Sequence, residues 1–175
     1  MRIRKAEKRD VPALLRLLRQ VLELHVEIRP DIFISGTTKY TREELEAILS
    51  DSATPVFVAT DEDDNGDGGD GGDNCRNGGE VAGYMFCILR KQPFSINMRD
   101  FKTLFIDDLC VDETRRGKRV GQALYNFALR YAEEQGCYNV TLNVWEGNDG
   151  ARAFYEKMGM RVQETRMETV LQQKK

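Results

Sequence analysis

The chain has 175 residues, 41% of them hydrophobic and 31% charged, with a net charge of −3. That length and balance suit one domain with a sizeable core, and no apolar run approaches the roughly 20 residues of a membrane helix. The charge is unevenly spread: residues 61–80 carry −7 and the remainder +4, a mildly basic body that suits a small anionic ligand and is too weakly charged for a dedicated nucleic-acid binder.

The opening Met1-Arg2-Ile3-Arg4-Lys5 is basic but leads into no apolar signal region. Cys75, Cys87, Cys110 and Cys137 are widely spaced, with no C-x-x-C pair. Together these features predict reduced thiols, no metal site, no disulfide frame and a cytoplasmic address.

In chain order, residues 2–6 read as a short strand, and Asp10 as the cap of a helix with Pro12 in its first turn. Val11, Leu14, Leu15, Leu18, Val21 and Leu22 follow the helical period, so one face of that helix packs on a core. Thr41-Arg42-Glu43-Glu44 is a capping box that opens a second helix, with Leu45, Ile48 and Leu49 inward. Residues 55–59 read as a buried strand. Residues 61–79, nearly all Asp, Gly and Asn, read as a disordered hairpin loop with nothing to bury. Its start copies an EF-hand, but Gly72 stands where the closing Glu is required. Strands follow at 81–89 and 103–111, a helix at about 118–135, and a strand at 138–145. A short helix runs from Asn148 to Met158 and closes at Gly159, and residues 161–171 read as a last strand. This order, β α α β β β α β α β, predicts a mixed sheet with helices on both faces.

The chemistry concentrates after residue 106. The run Leu109-Cys110-Val111 through Arg115-Arg116-Gly117-Lys118-Arg119-Val120-Gly121-Gln122 is a buried strand, a basic Gly-containing turn and an amphipathic helix. A helix start presents free N–H groups and a dipole that favours anions, so basic residues there oppose the dipole unless an anion sits between. The turn matches neither a P-loop nor a dinucleotide fingerprint.

It resembles the pyrophosphate loop of the GNAT superfamily of acyl-CoA-dependent N-acetyltransferases, [QR]-x-x-G-x-[GA] after an L-x-V strand. Here Leu109-x-Val111 is the strand and Arg116 to Gly121 the loop, with Arg119 where the family has its first Gly. A second stretch, from Asn148 through Ala151 to Phe154-Tyr155-Glu156-Lys157-Met158-Gly159-Met160, is similar to the family's N-x-x-A-x-x-F-Y-E-K-x-G-[FM].

The resemblance implies an α/β (α+β) fold over residues 1–175. Its mixed, mostly antiparallel sheet would have six to seven strands, helices on both faces and splayed central strands. It also implies acetyl-CoA as co-substrate, held by Leu109, Cys110, Val111, Arg116, Gly117, Lys118, Arg119, Val120, Gly121, Gln122, Asn148 and Ala151. Tyr155 would protonate the departing thiolate, although it shares a stripe with Ala151, Phe154 and Met158 that equally fits a core tyrosine.

An attacking amine must also lose a proton. Asp107 and Asp108, inside an apolar strand, are costly to bury without a task or a partner. The polyamine branch of the family has an acidic residue at the place of Asp107, which makes it the preferred base over Asp108. A carboxylate satisfied by backbone or an Arg is the plain alternative. His25, Glu27, Arg29 and Phe33 fall where the family lines its acceptor pocket, although a lone His on an apolar stripe also fits simple packing. The acceptor is expected to be a small, polyamine-like or peptide amine, with no nucleic acid, no membrane and a possible homodimer. A non-catalytic acyl-CoA-binding module, or an interaction protein working through the acidic loop, are the competing classes.

Overall fold

The structure, a computed structural model, describes residues 1–61, 79–93 and 95–171. These form two compact units, Met1–Asn143 and Val144–Lys175. The first contains β1 (Arg2–Lys5), α1 (Val11–Ile28), α2 (Arg42–Ser50), β2 (Val56–Thr60), β3 (Val81–Lys91), β4 (Lys102–Val111), α3 (Val120–Glu134) and β5 (Asn139–Leu142). The second contains α4 (Asp149–Lys157). The acidic loop expected at 61–79 lies, apart from Asp61 and Gly79, outside the described residues, as does Cys75.

The strands form one sheet in the order β1-β2-β3-β4-β5. All neighbours are antiparallel except β4 and β5, which are parallel. A parallel pair cannot be closed by a tight hairpin, and α3 supplies the crossover. Alternation along β2 assigns the two faces. Val56 and Val58 join Tyr84, Phe86 and Cys110 against Leu14, Leu17 and Leu18 of α1 and Leu45 of α2. Phe57 points the other way, its ring 4.8 Å from Phe127 and 5.0 Å from Tyr131 of α3. Helices therefore cover both faces of this unit's sheet.

Three local expectations meet different outcomes. The Thr41 box forms as read: Glu44 N–H donates to Thr41 Oγ1 at 3.2 Å, and Thr41 N–H to Glu44 Oε2 at 2.7 Å. Asp10 stands at the α1 N-cap position but makes no cap hydrogen bond there. Its buried carboxylate instead accepts two bonds from Arg4, at 2.7 and 2.8 Å, and one from Glu7 N–H at 2.8 Å. A bidentate guanidinium holds a carboxylate more firmly than one helix amide does.

The strand expected at 161–171 does not form. Its apolar residues fall at 162, 167, 170 and 171, a spacing that gives neither face a continuous apolar edge, and all four are at least 71% exposed. The sheet of the described residues accordingly has five strands, not six to seven.

Candidate active site

The site is organised by an irregularity in β4. Asp108 lies opposite Phe86, but the next β3 residue, Cys87, lies opposite Ile106, so Asp107 is an extra residue without a cross-strand partner. Such a bulge re-aims side chains. Regular alternation would send Asp107 and Asp108 to opposite faces. The bulge instead lets both serve groups clustered at one place: Lys39 Nζ donates to Asp107 Oδ2 at 2.7 Å, and Tyr84 Oη to Asp108 Oδ2 at 3.2 Å.

Aromatic rings enclose the second of these carboxylates. Tyr84 is fully buried, and its ring meets Phe86 edge-on at 5.1 Å. Phe86 stacks with Tyr40 at 5.8 Å. Burial among these rings pushes the Asp108 carboxyl up to about 6, and the neighbouring Asp107 adds to the rise. Lys39, the Tyr84 hydroxyl and the Leu109 N–H restrain it. The result is a carboxylate that is ionised at neutral pH yet basic enough to take a proton.

Lys39 shows the reverse balance. Burial works against its charge, but the bond to Asp107 and the field of Asp108 hold its ammonium above the ordinary lysine value.

The loop following α1 forms the adjoining wall. His25 packs its ring 5.1 Å from Phe33, and burial, with Lys39 nearby, lowers its pKa so that the imidazole is neutral at neutral pH. Arg29 forms a fork with Asp31, two bonds of 2.8 Å, and Glu27 is exposed. The structure thus brings His25 and Phe33 together, and gives Arg29 a carboxylate partner two residues away.

β4 pairs with β5 only from Thr103 to Ile106, and then continues to Val111 with β3 as its one described strand partner. Over residues 107–111 no described strand pairs with β4 on its β5 side.

The basic turn follows directly. Asp112 is buried and bound by Arg16, and it accepts from Thr114 N–H at 3.0 Å and Thr114 Oγ1 at 2.7 Å. These bonds, Arg16 foremost, hold it well below the usual carboxylate range and anchor the start of the turn. Gly117 has φ 77°, and Arg119, the one non-glycine residue with positive φ among those described, has φ 63°. Arg119 thus stands in a backbone shape that favours glycine, which is the physical content of its departure from the loop pattern.

The first main-chain bond of α3 runs from Ala123 N–H to Arg119 O at 3.0 Å, so the amides of Val120, Gly121 and Gln122 precede it and point out of the helix end. Arg116, Lys118 and Arg119 are exposed around them. Arg115 is not available in the same way: it pairs with Asp61 at 2.6 Å and Glu80 at 2.9 Å.

Gly83 on β3 sets how closely α3 approaches. A Cβ there would lie 2.7 Å from the Cys110 carbonyl oxygen, and 3.2 and 3.3 Å from Val120 and Leu124.

In the second unit Asn148 caps α4, accepting from Ala151 N–H at 3.2 Å. Tyr155 is half-buried, its ring 5.0 Å from Phe154 and its carbonyl accepting from Met160 N–H at 3.0 Å.

Two cysteine thiols are pushed up to about 12 by burial, Cys87 and Cys110, which removes them as nucleophiles near neutral pH. Among the described residues no group of three or more His, Cys, Asp or Glu side chains could hold a metal ion, and no helix is long and apolar enough to cross a membrane.

Sequence reasoning missed Lys39, Tyr40 and Tyr84. The first two lie in a loop without periodicity, and Tyr84 reads as ordinary strand core. Only the bulge register brings them to the aspartates.

Comparison with known proteins bears on the same elements. Residues 20–160 match the Acetyltransferase (GNAT) family. A mutant of the BH1408 protein from Bacillus halodurans is 32% identical, covering 98% of this chain and 100% of that one, with a TM-score of 0.85. An uncharacterized N-acetyltransferase of Methanocaldococcus jannaschii is 32% identical over 90 residues, 51% of this chain and 38% of that protein. The glucosamine 6-phosphate N-acetyltransferase of Arabidopsis thaliana is 38% identical over 55 residues, 31% of this chain and 35% of that enzyme. The chain therefore matches well under half the length of these two curated relatives.

Proposed function

For a chain that belongs to the acetyltransferase (GNAT) family, we propose transfer of the acetyl group of acetyl-CoA to a primary amine by direct attack, with Asp108 as the base. The observation that carries this reading is the bulged end of β4. It sets a buried carboxylate of raised pKa beside an open strand edge, and that edge leads into a basic helix start.

The chemistry divides among these parts. The amides of Val120, Gly121 and Gln122, with Arg116, Lys118 and Arg119, bind the pyrophosphate. The open edge of β4 pairs with the pantetheine, and a main-chain N–H there polarises the acetyl carbonyl as charge develops on its oxygen. The amine nitrogen attacks the carbonyl carbon, its proton passing to Asp108 directly or through water. The C–N bond forms, the C–S bond breaks, and the thiolate takes a proton from Tyr155, a role assigned by its motif. The raised thiol pKa of Cys87 and of Cys110 favours this direct route over an acetyl-cysteine intermediate.

The test is thiol release from acetyl-CoA against a panel of amines for wild type, Asp108→Asn and Tyr155→Phe. Amine-dependent release should fall by about 10²–10⁴ in the first variant, the range for loss of a general base. Binding of acetyl-CoA without release to any amine would reduce the chain to an acyl-CoA-binding module.

A further inference from the structure

The loop between α1 and α2 returns a lysine of the chain itself to the acceptor end of the site. Lys39 Nζ is 2.7 Å from Asp107 Oδ2 and 5.4 Å from the centroid of the Tyr40 ring. Through Tyr40 this lysine abuts the ring cluster that encloses Asp108. The two aspartates therefore do different work. Asp107 already holds an alkylammonium, whereas Asp108 accepts from a tyrosine hydroxyl and the Leu109 N–H and from no ammonium.

Two carboxylates of α1 and the loop after it are held by their own neighbours in the chain. Asp31 is held by Arg29, and Glu23 accepts from Ser35 Oγ at 2.7 Å and Gly36 N–H at 2.9 Å. His25 is neutral at neutral pH and adds no charge of either sign. An acceptor bringing one ammonium finds Asp108. An acceptor bringing a second ammonium must displace Lys39 from Asp107, or lie against its positive charge.

We propose that Lys39 is a specificity-determining residue which, by occupying Asp107 as an internal counter-ion, restricts the acceptor to a single ammonium and turns away diamines and polyamines. This rests on the acetyltransferase reading above. It reverses the plainest inference from Asp107 alone, that a spare carboxylate beside the base recruits a second cation. The carboxylate is present, but the chain spends it on its own lysine.

The experiment compares kcat/KM for butylamine and for diaminobutane, acceptors of equal chain length that differ by one ammonium, in three proteins. These are wild type, Lys39→Met, which keeps the stem and removes the charge, and Lys39→Arg, which keeps the charge. Wild type and Lys39→Arg should favour the monoamine. Lys39→Met should raise the diamine-to-monoamine ratio by about tenfold, as a neighbouring like charge is removed and a carboxylate freed. A ratio is insensitive to a general loss of active protein, so a merely structural role would leave it where it was. Amine turnover with a ratio unmoved in Lys39→Met overturns this inference and leaves the proposed function standing. No turnover with any amine in wild type overturns both.

Discussion

Asp108→Asn is expected to move activity and stability in opposite directions, with a pH dependence that follows from one carboxyl. In the folded protein that carboxyl titrates at about 6, against an ordinary 3.8. Its pKa is raised, so between these values the unfolded chain releases the proton first. Ionisation then weighs against the native state: the effect is absent below about pH 4, grows up to about pH 6 and is complete above it. At 1.36 kcal/mol per pH unit the full difference is about 3 kcal/mol. Solvent reaching the half-buried residue reduces this to about 1–3 kcal/mol.

Asparagine cannot ionise, and its side-chain oxygen can still accept from Tyr84. The variant should therefore gain about 1–3 kcal/mol over wild type in urea unfolding at about pH 8, and gain nothing near pH 4. Wild-type kcat/KM should rise tenfold per pH unit up to about pH 6 and then level, and the variant should lose that limb along with its rate. A variant that is less stable at about pH 8, or that keeps the limb near pH 6, would refute the assignment of a desolvated, catalytically used carboxylate to this position.

Three further outcomes follow from the same geometry. Tyr84→Phe removes a hydrogen bond that favours the ionised Asp108, so the acid limb of kcat/KM should move up by about one pH unit, read from the same pH–rate profile. Gly83→Ala places a Cβ 2.7 Å from the Cys110 carbonyl oxygen and crowds Val120 and Leu124. It should destabilise the protein by about 1–3 kcal/mol and weaken acetyl-CoA binding in calorimetry, because β4 and the start of α3 must part. Arg119→Gly relieves the left-handed backbone at φ 63° and should stabilise the ligand-free protein by about 0.5–1 kcal/mol in thermal melts, whereas Arg119→Ala should not.

What could be read from the sequence was what is decided locally. The Thr41 box and the Asn148 cap each close on residues three positions away, so residue identity and spacing suffice to find them. The basic turn is likewise contiguous, and its glycine and arginine positions were visible before their dihedral angles were. Failures came where a partner lies far along the chain. Asp10 looks like a cap until Arg4 is folded back onto it. Arg115 looks like free countercharge until Asp61 and Glu80 are brought to it by the pairing of β2 with β3. The tail at 161–171, read as a last strand, carries apolar residues but not in alternation, and it forms none.

The aspartate pair is the sharpest case, because a bulge leaves no mark in residue identity. Asp107 and Asp108 are adjacent and chemically alike, and the sequence offers no physical ground for giving them different tasks. The difference arises from one skipped pairing opposite Phe86 and Cys87. The skip hands Asp107 to a lysine 68 positions upstream and Asp108 to a tyrosine 24 positions upstream, whose ring helps exclude water. On the proposed function, choice of base and choice of acceptor both trace to this backbone irregularity. On the proposed reading the carboxylate among the rings takes the proton, and the one paired with Lys39 is withheld from a second cation.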